Sequence, residues 1–185
     1  HGETIILSAH GVSPEVHRVC AERRLRVIDA TCPLVSKVHA EVRRYAKRGA
    51  TVLLVGHLSH DEVIGTRGEA PESVIVIEGV ADAEAVEVPD PDNVALTTQT
   101  TLSIDDAAAI VAVLKRRFPA LAGPKTSDIC YATQNRQDAV RAVVQDGADL
   151  VLVVGSRNSS NSNRMVEVAV ATGAEGHLVD NVGEF

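Results

Sequence analysis

What most constrains this chain is an alternation: short apolar runs rich in Val and Ile are followed by longer helical patterns, from one end to the other. The runs are Thr4–Ala9, Arg26–Asp29, Thr51–Val55, Ser73–Ile77, Val94–Thr98, Leu150–Val154 and Gly176–Val179. At that length and with that β-branched content they are predicted to be buried parallel strands. Between them, Val35, Val38, Val42 and Tyr45 recur at helical spacing and share one face, as do Ile104, Ala108, Val111, Leu114 and Phe118. Ala139, Val143 and Val144 mark a further helix, and Met165, Val168 and Ala169 another. Start signals agree: Ser13-Pro14 offers an N-cap with proline at the first helical position. Ser103 with Asp106 three residues on resembles a capping box. The alternation specifies an α/β fold with parallel sheets. Aromatic residues are only 2% of the chain, so its core is built from Val, Ala, Leu and Ile.

The 185 residues allow one ordinary domain or two small ones. A boundary is predicted near Gly123-Pro124-Lys125, and an internal echo links Thr51–Gly56 with Leu150–Gly155, each a Val/Leu strand ending in glycine before a polar loop and a helix. The formal net charge of −7 argues against wholesale binding of nucleic acid or an anionic membrane surface. No apolar run reaches the ~18 residues of a transmembrane helix, and no signal peptide is visible, so a reducing cytoplasm is the expected setting. There the three cysteines, Cys20, Cys32 and Cys130, are core fillers, nucleophiles or metal ligands rather than a disulfide framework.

The polar clusters nearly all follow a strand and precede a helix, the place where open α/β sheets bind ligands. The run Gly155–Asn163, rich in Ser and Asn, suits a phosphate or diphosphate at a helix N-terminus, although a capped polar loop would look the same. His57, His60 and Glu62 form a second cluster, fit for anion binding, metal ligation or proton transfer, without the HExxH zinc pattern. Thr98–Thr101 supplies hydroxyls that either end a strand or relay a proton. Cys32 and Cys130 each precede a helix, where a thiolate is favoured, as nucleophiles and iron ligands require. Cys20 lies within a helix over 15–24 beside Val16 and Val19 and reads as core. A metal-free phosphate-binding module and a cysteine-nucleophile phosphoesterase remain open at this level. The latter lacks its CxxxxxR loop, because Asn135 stands where the arginine belongs.

Taken together, the segments SAHGVS (8–13), DATCPLVSKVH (29–39), GHLSHDEVIGT (56–66), TTQTTLS (97–103), DICYATQNRQ (128–137) and GSRNSSNSNR (155–164) resemble the LytB/IspH family over almost the whole chain. That resemblance implies a pseudo-threefold fold of similar parallel-sheet units with flanking helices. Residues 1–31 would be the tail of a first unit, 32–126 a second and 127–185 most of a third. It implies an oxidoreductase that removes the hydroxyl of 4-hydroxy-3-methylbut-2-enyl diphosphate, giving isopentenyl and dimethylallyl diphosphates, the last step of the methylerythritol phosphate route to isoprenoids. It also implies a [4Fe–4S] cluster on three cysteines, with a ferredoxin or flavodoxin-type electron donor. Residue by residue, Cys32 and Cys130 resemble two cluster ligands. His10, His60, Thr100, Ser159, Ser160 and Asn161 resemble substrate-binding positions, and Glu62 with Thr100 the proton-delivering pair. Asp61 stands where many members have proline. The family's glycine-rich segment with the first cysteine, a further histidine and a later serine have no counterpart here, and Cys20 fits no ligand motif. On that basis the chain is expected to be a segment that lacks the third cysteine ligand and has little or no reductase activity alone.

Overall fold

A computed structural model describes residues 2–124 and 128–184, with Glu184 as backbone only. The expected boundary at Gly123-Pro124-Lys125 runs into residues 125–127, which lie outside the described residues. The elements follow the predicted alternation: β1 (Thr4–Leu7), α1 (Pro14–Glu22), β2 (Arg26–Asp29), α2 (Pro33–Ala46), β3 (Thr51–Val55), α3 (Asp61–Gly68), β4 (Val74–Ile77), α4 (Val80–Ala85), β5 (Val94–Thr98), α5 (Ile104–Arg117), α6 (Tyr131–Gln145), β6 (Leu150–Val154), α7 (Ser160–Thr172) and β7 (Glu175–Val179). Every strand pairing is parallel, so the α/β class read from the sequence holds. Among the described residues no helix is long and apolar enough to cross a membrane.

The chain forms two compact units. The first comprises His1–Thr100 and Ala107–Asp128. It contains the β1–β2 pair and a three-stranded sheet in the order β4-β3-β5. β3 is central, with Leu54 opposite Val76 on one side and Thr97 on the other. Paired on both edges, β3 is buried without interruption from Val52 to Val55, each at most 1% exposed, which explains its unbroken apolar run. α2 packs Val42 and Tyr45 onto Val52, Leu54 and Ala95 from β3 and β5, and Val63 of α3 joins the same core. The predicted inward face of α2, Val35, Val38, Val42 and Tyr45, is buried throughout. Cys20 is buried in α1, as expected of a core residue.

The second unit comprises Thr101–Asp106 and Ile129–Phe185, with β6 and β7 paired around α7. Val168 and Ala169 of α7 are buried as predicted.

Three expectations need correction. β1, β2, β6 and β7 are not buried strands: Ile6, Ile28, Leu150, Leu152, Val154 and His177 are exposed. Each belongs to a two-stranded sheet, so it has a free edge and incomplete cover. In α5 only Leu114 and Phe118 of the predicted face are buried, and Ala107, Ile110 and Val113 complete the true one. The stretch from Ala107 to Leu114 is apolar all round, so spacing alone cannot choose between its stripes. In α6 the buried residues are Thr133 and Gln137, while Ala139 and Val143 are exposed. Gln137 Nε2 donates to the Leu102 carbonyl, so an amide occupies an inward position that apolar spacing cannot reveal.

Candidate functional site

The first unit gathers four of the sequence-predicted residues. His10 follows β1 in a turn closed by the Gly11 amide donating to the Ser8 carbonyl at 3.1 Å. Gly11 has φ +74°, a left-handed conformation suited to glycine, and the His39 ring lies 3.0 Å from where a Cβ would stand. Across from it, His60 is the N-cap of α3, its Nδ1 accepting from the Glu62 amide at 3.2 Å. The two imidazole rings face each other at 5.0 Å with a 36° tilt. The Nδ1 of His10 is buried with no hydrogen-bond partner among the described residues. Burial, and then the neighbouring His10, hold His60 below the ordinary histidine pKa.

Glu62 sits in the first turn of α3 and is 2% exposed. Its Oε1 accepts from the Thr100 amide at 2.6 Å and its Oε2 from Thr100 Oγ1 at 3.0 Å. Burial pushes its pKa up to about 7; the two Thr100 hydrogen bonds pull down, and the Asp128 carboxylate adds to the rise. Both protonation states are therefore accessible near neutrality, as a general acid requires. Thr100 is presented by the end of β5, where Gln99, itself buried, accepts from the His57 amide at 3.0 Å.

Cys32 caps α2, with its amide donating to the Ala9 carbonyl at 3.0 Å and Pro33 at the first helical position. Just upstream, Asp29 Oδ1 accepts from the Thr31 amide and hydroxyl, which holds that carboxyl below its usual range.

In the second unit Cys130 caps α6, and Ser159 caps α7 with its Oγ accepting from the Ser162 amide at 3.3 Å. Ser160 Oγ accepts from Thr101 Oγ1 at 3.0 Å, and Asn161 Oδ1 is buried without a partner among the described residues. Gly155 precedes this loop because a Cβ there would stand 2.2 Å from Ser162 Oγ.

The helices sort by charge. α1, α3, α4 and α5 carry acidic residues in their first turns, whereas α2, α6 and α7 carry none. The three helices headed by Cys32, Cys130 and Ser159 thus leave their N-terminal dipoles uncompensated, which suits an anionic ligand or thiolate. Half-buried Cys32 and Cys130 fit iron as two thiol donors. They lie in different units, and among the described residues no three His, Cys, Asp or Glu side chains come together as a metal site. Sequence reading passed over Lys37 as a site residue and noted Asp128 only as an acid ahead of Cys130. Lys37 Nζ lies 2.7 Å from Asp128 Oδ1. No local pattern marks a contact between residues so far apart in the chain.

Parallel sheets, with chemistry at strand ends and helix N-termini, place the chain among α/β proteins that bind ligands at the carboxyl edge of a sheet. Within that class the match is specific: the LytB protein family covers residues 1–185, and the chain belongs to it. It is 56% identical over its whole length to a 4-hydroxy-3-methylbut-2-enyl diphosphate reductase of Acidothermus cellulolyticus, covering 54% of that protein. It is 55% identical over 97% of its length to the protein of that name from an Azoarcus species, covering 57%. The structure of the E-1-hydroxy-2-methyl-but-2-enyl-4-diphosphate reductase from Plasmodium falciparum is similar with a TM-score of 0.92 and 40% identity, over all of this chain and 57% of that one. A second solved structure, (E)-4-hydroxy-3-methyl-but-2-enyl diphosphate reductase, the terminal enzyme of the non-mevalonate pathway, matches with a TM-score of 0.66 and 29% identity, over all of this chain and 66% of that one. The chain spans about half the length of the curated relatives it matches.

Proposed function

We propose that the whole protein carrying this chain is an oxidoreductase that converts 4-hydroxy-3-methylbut-2-enyl diphosphate to isopentenyl and dimethylallyl diphosphates in the cytoplasm. The observation that carries this reading is the buried Glu62 carboxyl, poised near pH 7 and held at both oxygens by Thr100. Removing the hydroxyl consumes two electrons and two protons and releases water, so the site needs a proton source shielded from bulk solvent. Protonated Glu62 donates through Thr100 Oγ1, and the Thr100 amide keeps the carboxyl in one orientation. The diphosphate contacts carried over by the resemblance are His10, His60 and the Thr100 hydroxyl in the first unit and, separately, Ser159, Ser160 and Asn161 in the second. Orphaned atoms on His10 and Asn161 support that assignment, since both are buried polar groups waiting for a partner. Cys32 and Cys130 would serve as two thiolate ligands of the [4Fe–4S] cluster that the family resemblance implies. When bound, the cluster supplies the reducing electrons, received from a ferredoxin or flavodoxin-type donor, and a Lewis-acidic iron.

The test is Glu62→Gln in the whole protein, measuring turnover and substrate affinity together. Turnover is expected to fall at least about a hundredfold with binding within about twofold, the size of a lost general acid. Unchanged turnover removes Glu62 from proton delivery.

A further inference from the structure

The first unit buries a carboxylate, Asp128, that the proposed chemistry leaves unused. The Asp128 side chain is 0% exposed. Its Oδ1 accepts from Lys37 Nζ at 2.7 Å, and its Oδ2 from Thr97 Oγ1 at 3.0 Å and the Thr98 amide at 3.3 Å. Those two threonines end β5, two residues before Thr100, which grips Glu62. Burying a carboxylate is costly unless it is paired and hydrogen-bonded. A chain that needed only to end a strand would do so with an apolar or hydroxyl contact. Here both oxygens are spent on one strand terminus and one ammonium.

We propose that the Lys37–Asp128 pair is a positioning device for the Glu62–Thr100 proton donor. It pins the carboxyl end of β5, so that Thr100 meets Glu62 in register, and it places a negative charge beside Glu62 that favours the protonated acid. This rests on the reading of Glu62 as the proton source. The other charged or titratable groups of this arrangement are Asp61 and His60 next to Glu62 in the chain, His10 and His57 near His60, and, beside Lys37 on α2, Glu41 at 3.8 Å. Asp128 adds to the rise in the Glu62 pKa that burial chiefly causes.

The experiment is Asp128→Asn in the whole protein, with Lys37→Met and Lys37→Arg beside it and Glu62→Gln as reference. Lys37 is 32% exposed, so water can take up its ammonium when the carboxylate is removed and the fold survives. In Asp128→Asn, kcat is expected to drop about tenfold with KM for the diphosphate unchanged. The pH at which kcat declines on the alkaline side is expected to move down by about one unit, because a neighbouring negative charge is gone. Lys37→Arg, which keeps the charge, is expected to retain most of kcat, and Lys37→Met to lose it. Iron content and far-ultraviolet circular dichroism are expected to match the unmodified protein. An unmoved pH limb overturns the proposal. So does a loss of iron in step with kcat, which would mean that Asp128 acts through Cys130, two residues on. If Glu62→Gln keeps full turnover, the reading of Glu62 itself has failed, whatever Asp128→Asn does.

Discussion

The crossovers after β3 and after β6 are built alike and equipped differently. In each, a strand ends in glycine, a polar loop follows, and an N-cap side chain accepts from the first turn of the next helix: His60 for α3, Ser159 for α7. In each, the third residue of the helix closes onto the glycine. A Cβ at Gly56 would stand 2.7 Å from Val63, and one at Gly155 would stand 2.8 Å from Ser162 Cβ. The first helix then puts Asp61 and Glu62 at its start, while the second puts Ser and Asn there and no acid. A helix N-terminus favours an ionised carboxylate, yet burial overrides it at Glu62 and keeps that group near neutral. The first turn of α7 carries no acid. One local architecture thus carries a buried acid at its helix start in one unit and an acid-free helix start in the other.

The surroundings of the two crossovers also differ, and this sets the largest expected effects. Leu54 in β3 is 1% exposed and Leu152 in β6 is 46% exposed. Leu54→Ala is expected to cost about 3 kcal/mol in urea unfolding, and Leu152→Ala about 1 kcal/mol or less. Equal losses would show that β6 is covered in solution as fully as β3.

Glu62 gives the next effect. Its folded pKa is raised from 4.5 to about 7, so between those values the native chain binds more protons than the unfolded one. Stability contributed by this group is therefore present at low pH and lost as pH rises through that window, by on the order of 3 kcal/mol. His39 and His60, held below their usual values mainly by burial, push the other way below about pH 6.5. The diagnostic is thus the difference between the unmodified protein and Glu62→Gln. That difference is expected to shift steadily in favour of the glutamine variant from pH 5 to pH 8 in thermal melts. A flat difference would place Glu62 in contact with water.

Much of this was legible in the residues, for reasons that also explain what was not. β3 and the inward face of α2 could be read because both are buried by apolar side chains at regular spacing. Cys32, Cys130 and Ser159 could be placed at helix starts because Pro33 and the onset of apolar periodicity mark those turns. The faces of α5 and α6 could not: one is apolar all round, and the other buries Thr133 and Gln137. The Lys37–Asp128 pair was equally hidden, since an ion pair between positions 91 residues apart obeys no periodicity.

The smallest effect separates the cap that Ser159 forms from the anion contact proposed for it. Its Oγ lone pair caps α7, and its hydroxyl proton remains available to an anion. Ser159→Ala removes both, with an expected cost of about 1 kcal/mol in stability and weaker binding of pyrophosphate measured by calorimetry. Ser159→Asn keeps an acceptor for the Ser162 amide and offers an amide proton in place of the hydroxyl, so stability is expected to return. Pyrophosphate affinity is the sharper readout in that variant. If it recovers along with stability, Ser159 contributes through the cap and the helix it completes. If stability recovers and affinity does not, the hydroxyl itself grips the anion, and the likeness between the two crossovers ends at their glycines and caps.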